Sequence, residues 1–260
     1  MRLVGFFRRR RFCDVSGMRI CGVIPAAGRG VRLGADIPKI LLPITSCDTI
    51  WSILHAKLSP LVDHIHLILS PEGAAAFPPL PAKASTSIQP APLGMGDAIF
   101  RGYDVWSRYD AVLVVWGDQV FVSCDTLSRA IAALTQPGRR AVLPVTRMAV
   151  PYVEYVFDGP RLAKVLQTRE GDATGAGGFS DVGVFLLTAK GLKEAWDDFL
   201  KRDGKKGENT GEINFLPFLP FLAQAGWTIT PLEVADAAEA RGINTPDDLA
   251  FFRTLYKDKP

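Results

Sequence analysis

The chain has 260 residues, of which 48% are hydrophobic and 22% charged. That is ordinary globular composition, with enough apolar mass for a large core that no disulfide or metal has to staple. The net charge is only +3, and one run, Arg8 to Arg11, carries four positive charges. Charge therefore does not point to a nucleic-acid partner. No apolar run reaches the ~18 residues that span a bilayer, so no membrane role is expected. The four cysteines, Cys13, Cys21, Cys47 and Cys124, lie far apart and lack C-x-x-C spacing. They read as reduced thiols of a cytoplasmic protein. Residues 1–17 are too short and polar after Arg11 for an export signal. With Met18 just before the first strand, they are expected to be a disordered extension or a misplaced start.

From there the chain alternates strand and helix. Arg19 to Pro25 is a short apolar strand ending in a glycine-rich loop. Asp48 or Thr49 caps a helix from Ile50 to Leu58. His64 to Ser70 and Thr86 to Gln89 are strands, and Gly94 to Ser107 is helical. Ala111 to Trp116 is an unbroken apolar run of the kind buried parallel strands show. Ser123 or Asp125 caps the next helix, and Ala141 to Arg147 is again a strand.

The rhythm then changes. Tyr152 to Phe157 and Leu162 to Thr168 flank Asp158-Gly159, which predicts a hairpin. Asp181 to Leu187 is a strand, Gly191 to Lys201 a helix, and Trp227 to Leu232 a late strand. Pro217 and Pro220 keep any helix between Glu212 and Ala223 short or broken. Thr245, Pro246 and Asp248 open the last helix with a box-like cap. This order predicts an α/β fold, a Rossmann-like and mostly parallel sheet with helices on both faces. Residues 18–260 form one domain. Its first half, 18–147, holds the nucleotide at the carboxyl ends of the strands; the hairpin-containing half, 148–260, supplies the acceptor pocket.

The densest chemistry lies in Pro25-Ala26-Ala27-Gly28-Arg29-Gly30-Val31-Arg32-Leu33-Gly34, followed by Pro38-Lys39. Small residues let the backbone approach phosphates closely, and Arg32 and Lys39 place two cations beside them. The loop is neither a Walker motif nor the G-x-G-x-x-G fingerprint, because Leu33 stands at the third position. On residues alone, an ordinary turn with two solvated charges stays open. Asp118, at the tip of the strand Ala111 to Trp116, reads as an oxygen ligand for a divalent cation or as a cap for the following helix. Gln89 alone would be an exposed strand end, and Asn244 alone a turn or cap residue. None of the three histidines or four cysteines has the partner that a side-chain nucleophile needs.

A-A-G-x-G-x-R followed by P-K resembles the sugar-1-phosphate nucleotidylyltransferases of the MobA-like NTP transferase superfamily. The nearest likeness is to the uridylyltransferase domain of bacterial N-acetylglucosamine-1-phosphate enzymes. Gln89 with Leu93-Gly94-Met95-Gly96-Asp97-Ala98 resembles that family's Q…L-G-T-G-H-A. Trp116-Gly117-Asp118 resembles its Y-G-D, Asn209-Thr210-Gly211-Glu212 its Q-G-E stretch, and Gly242-Ile243-Asn244-Thr245 its closing G-x-N.

The resemblance implies that Ala26, Ala27, Gly28, Gly30, Gln89 and Gly94 bind the nucleotide. It gives Arg32, Lys39 and Asp118 the catalytic roles, and makes Asp118 and Asn244 ligands of magnesium (Mg2+). The implied reaction moves a nucleotidyl group from a nucleoside triphosphate, UTP by the closest likeness, to a phosphorylated sugar, with release of pyrophosphate. Acceptor-binding falls to Val153, Gln167 and Asp181, and these depart from the family. Pro151-Tyr152-Val153-Glu154 replaces G-Y-G-R, Gln167 replaces a glutamate, Asp181 an asparagine, and Met95 the threonine of L-G-T-G. Two alternatives follow: a cytidylyltransferase for a non-sugar phosphorylated acceptor such as a polyol phosphate or phosphocholine, or a silent nucleotide- or sugar-binding regulator. No hexapeptide repeats follow within the chain, so the acetyltransferase half of the bifunctional relatives is not expected.

Overall fold

The computed structural model describes residues 17–28, 30, 33–34, 37–134, 138–202 and 206–257. The expected extension over residues 1–17 lies outside them except for Gly17, and so does Arg32.

The first half builds parallel pairs. Strands β1 (Ile20–Pro25), β2 (His64–Leu69), β3 (Ala84–Ile88) and β4 (Ala111–Val115) stand in the order β3-β2-β1-β4, every pair parallel. Helices cross between them: α1 (Ile50–Leu58), α2 (Pro71–Ala76), α3 (Met95–Arg101) and α4 (Tyr103–Trp106). Then follow α5 (Cys124–Ala133), β5 (Arg140–Met148), the hairpin β6 (Val153–Asp158) and β7 (Arg161–Gln167), β8 (Gly178–Asp181) and β9 (Val184–Thr188). The chain ends with α6 (Leu192–Arg202), α7 (Phe218–Gln224), β10 (Thr228–Glu233) and α8 (Pro246–Lys257). β9 enters antiparallel between β4 and β5, and β10 pairs parallel with β5. One sheet of ten described strands thus carries both halves.

Side chains alternate across that sheet with the period of two that strands impose. In β4, Ala111, Leu113 and Val115 face one core with α1, α5 and α8, while Val112 and Val114 face the other with α3, α6 and α7. All five are fully buried, which is why β4 reads as a continuous apolar run rather than an alternating one. Each of its valine and leucine side chains contributes about 1.5–3 kcal/mol on burial.

Local sequence signals act where expected. Thr49 caps α1 in a reciprocal box with Ser52, and the Ser123 hydroxyl accepts from the Thr126 N–H at the start of α5. At α8, Asp248 Oδ2 accepts from the Thr245 N–H at 2.9 Å, and Thr245 Oγ1 accepts from the Asp248 N–H at 3.2 Å. Pro217 stands at the N-cap of the short α7.

Three elements differ from the sequence reading: α2 (Pro71–Ala76) was not expected, and two others divide. The helix expected over Gly94 to Ser107 divides at Gly102, where a Cβ would come within 2.8 Å of His66 Cδ2. The strand expected over Asp181 to Leu187 divides at Gly183, whose φ of +73° turns the backbone between β8 and β9. Among the described residues no helix is long and apolar enough to cross a membrane.

Candidate active site

A cleft of about 440 Å³ opens at the carboxyl ends of β1 and β4. Gly117 brings those ends together: a Cβ there would lie 2.9 Å from the Pro25 carbonyl oxygen. The turn that follows is closed by the Gln119 N–H donating to Trp116 O at 3.0 Å, and it presents Asp118 at the strand tip. The Ile243 N–H donates to Asp118 O at 3.2 Å, so the loop before α8 docks on the same tip. Gly242 permits this, since a Cβ there would come 3.1 Å from Asp118 Cγ.

The outcome is a three-residue cluster drawn from distant segments. Lys39 Nζ donates to Asp118 Oδ2 at 2.7 Å and to Asn244 Oδ1 at 3.0 Å. Lys39 opens a short 3-10 helix, Lys39–Leu41, after Pro38. Gly30 packs against it in the left-handed region, φ +61°, where a Cβ would touch Lys39 Cβ at 3.2 Å. The side chains of Lys39 and Asp118 are 18% and 20% exposed, so the pair is shielded yet reachable. Asp118 and Asn244 offer hard oxygens converging on one cation, the donor chemistry that suits magnesium. The residues therefore fit a metal held jointly with phosphate oxygens. No cluster of three or more acidic, histidine or cysteine side chains that could hold a metal exists among the described residues, so phosphate or water ligands would complete the shell.

Ala26, Ala27 and Gly28 line the cleft beside this cluster, and the Ala26 N–H is tied to Ile68 O at 2.8 Å. Gln89 is not an exposed strand end: it is buried, and its Nε2 donates to Gly94 O at 3.0 Å and Asp97 Oδ2 at 2.8 Å. Gly94 has φ +108°, and a Cβ on it would meet Ile213 O at 2.7 Å. Gly94→Ala should accordingly lower stability by about 1–3 kcal/mol, the usual cost of a side chain in so unfavourable a backbone region. The urea midpoint checks this, and an unchanged midpoint would contradict the close approach.

Val153, Gln167 and Asp181, expected on the acceptor side, line the cleft as well. Val153 is buried in β6, and Gln167, at the end of β7, accepts from Asn214 Nδ2 at 2.5 Å. Asp181 accepts from the Tyr155 hydroxyl at 3.0 Å and the Gly183 N–H at 2.7 Å. Burial pushes the Asp181 carboxyl up, against these two hydrogen bonds and with help from the Asp118 charge. Val153, Gln167 and Asp181 all line the same cleft as Lys39 and Asp118.

The sequence reading brought most of these residues to one place and missed others. Tyr155, Asn214 and Arg169 were not foreseen. Arg169 lines the cleft and is held by Glu212 at 2.9 Å. Its position two residues beyond Gln167 was the available signal. Gln119 was also missed, although it directly follows Asp118. The free cysteines among the described residues, Cys21, Cys47 and Cys124, lie outside the cleft.

Comparison with known proteins bears on the family and the fold. Two bifunctional GlmU proteins, from two strains of Acidithiobacillus ferrooxidans, are 26% identical over 250 residues, covering 90% of this chain and 51% of the relative. The chain thus spans about half the length of the curated relatives it matches. A solved structure from Bacillus anthracis with sucrose bound, assigned as a glucose-1-phosphate thymidylyltransferase, superposes with a TM-score of 0.72. It covers 93% of this chain and 96% of its own at 17% identity, a likeness of fold. The pattern of the MobA-like NTP transferase domain matches residues 22–182, from within β1 to the threshold of β9. On that match, the chain belongs to the MobA-like NTP transferase family.

Proposed function

We propose that the chain transfers a nucleotidyl group from a nucleoside triphosphate to a sugar 1-phosphate, forming a nucleotide sugar and releasing pyrophosphate. The observation that carries this reading is the convergence of Lys39, Asp118 and Asn244 on the cleft floor. UTP is the favoured donor, on the motif resemblance and the likeness to the GlmU proteins.

The first half, 18–147, takes the nucleotide and the second half, from 148, the acceptor. Ala26, Ala27, Gly28 and Gln89 bound the base, with Gly30 and Gly94 shaping the loops beside it. An oxygen of the acceptor phosphate forms a bond to the α-phosphorus while the bond from that phosphorus to the bridging oxygen breaks. Pyrophosphate leaves with the electron pair, so no side-chain nucleophile is needed. Both reactants are anions, and their repulsion is a main obstacle. Lys39, and Arg32 from outside the described residues, offset it with positive charge. Magnesium, held through Asp118 and Asn244, would supply further charge neutralisation at the phosphates. Holding the two reactants in line adds the advantage of proximity, at best about 7–11 kcal/mol.

The test is pyrophosphate release across a panel of four nucleoside triphosphates against sugar 1-phosphates, polyol phosphates and phosphocholine, with and without magnesium. Turnover of a sugar 1-phosphate is expected. Silence across the panel would favour a binding regulator instead. Within the same panel, Val153→Gly widens the acceptor wall at a buried position. It should shift acceptor preference by about 10-fold, the scale on which pocket contacts of one or two methyl groups discriminate, while leaving the KM for UTP unchanged. A change in UTP affinity alone would mean that the two halves are assigned the wrong way round.

A further inference from the structure

Gln119 directly follows Asp118, and its side chain forms part of the cleft wall although the residue is only 6% exposed. Its Oε1 is buried with no hydrogen-bond partner among the described residues. A buried carbonyl oxygen left unpaired is costly, and one at a cleft wall calls for a partner that the site receives from outside. Turning the amide about its last bond exchanges oxygen and nitrogen and still leaves an unpaired amide at the wall.

The surrounding backbone is shaped to hold that amide. Gly183 has φ +73°, and a Cβ on it would lie 2.3 Å from Gln119 Cγ. The Trp116 N–H donates to Gly183 O at 2.9 Å, which fixes Gly183 against the β4 tip. The Gly183 N–H in turn donates to Asp181 Oδ1 at 2.7 Å. One glycine therefore seats Gln119 and Asp181 side by side, on the acceptor flank of Asp118. No described cation pairs with Asp181; its partners are the Tyr155 hydroxyl and that backbone N–H.

A molecule that satisfies both side chains must donate hydrogen bonds to Asp181 and exchange one with the Gln119 amide. A hydroxyl does both, because it donates and accepts. We propose that Gln119 is a specificity-determining residue that hydrogen-bonds a hydroxyl of the acceptor. This rests on the transfer reaction proposed above and adds a residue to its acceptor side.

Gln119→Leu keeps the volume and removes the hydrogen bond; Gln119→Met does the same with a more adaptable side chain, should leucine fit poorly. Three quantities are measured for each variant and the wild type: the KM for glucose 1-phosphate and N-acetylglucosamine 1-phosphate, the KM for UTP, and the thermal midpoint of the protein without ligand. The expected pattern is an acceptor KM raised about 10-fold or more, a UTP KM within twofold of wild type, and a thermal midpoint unchanged or raised because the unpaired oxygen is gone. A structural glutamine would give the opposite pattern, a lowered midpoint with the acceptor KM unchanged, and that result overturns the proposal. A wild type that turns over phosphocholine and no sugar or polyol phosphate also overturns it, while leaving nucleotidyl transfer intact. A wild type silent with every acceptor sinks the transfer reaction itself, and this inference with it.

Discussion

Asp118→Ala is expected to lower turnover by at least about 10³-fold, the scale of losing a group that organises transition-state charge. The fold should survive. Asp118 is tied to the structure mainly through its backbone, whose carbonyl accepts from the Ile243 N–H. Its side chain makes one partly exposed ion pair with Lys39, and such pairs contribute about 0–1 kcal/mol. Stability therefore changes little while chemistry stops. The measurements are steady-state pyrophosphate release and a thermal midpoint on the same preparation. Asp118→Asn sharpens the result: it keeps the shape and one oxygen donor but removes the negative charge. Near-normal rates in either variant would remove Asp118 from the reaction and leave the Lys39 cluster a purely structural feature.

How much of this was legible without coordinates differs between the two halves, for physical reasons. The first half follows from local signals. The all-apolar run of β4, the small residues after β1 and the Ser123 cap of α5 each fix their own segment. Gly117-Asp118 could be placed at a strand tip because a buried parallel strand must end where its apolar run ends. The second half depends on contacts between distant segments. Gln167 meets Asn214, Tyr155 meets Asp181, and Arg169 meets Glu212. None of these pairs has a sequence spacing that announces it. The insertion of β9 between β4 and β5 is equally nonlocal, and it brings Gly183 against Gln119. The division of the helix at Gly102 is set by His66 on a different strand. Sequence pattern reports which residues are small, apolar or charged; it does not report which of them meet.

Lys39 gives the second large effect, and it has two opposite readouts. Its ammonium group lies 2.7 Å from Asp118 Oδ2 and 3.0 Å from Asn244 Oδ1, the two oxygens that would also hold magnesium. An ammonium and a divalent ion cannot share that position, since both the space and the charge are taken. In the free protein Lys39 would thus compete with a metal held there. A bound triphosphate offers the ammonium an alternative set of oxygens, and its departure from Asp118 opens the carboxylate. Metal and nucleotide should then bind with positive coupling, and by linkage each raises the affinity of the other by the same factor. Lys39→Met removes the competitor. The variant is expected to bind Mn2+ in the absence of nucleotide about 10-fold more tightly, measured by the loss of the free-ion signal in electron paramagnetic resonance. Its turnover should fall by about 10²- to 10³-fold, because a fixed cation beside the phosphates is lost. The mutual enhancement between Mn2+ and UTP should shrink as well. A side chain serving only as a structural anchor predicts something else: disorder of Asp118 and Asn244, and weaker Mn2+ binding. Lower metal affinity in Lys39→Met would therefore reject the competition, whereas tighter binding joined to slower turnover requires that one ammonium both hold the site closed and serve the reaction when it moves.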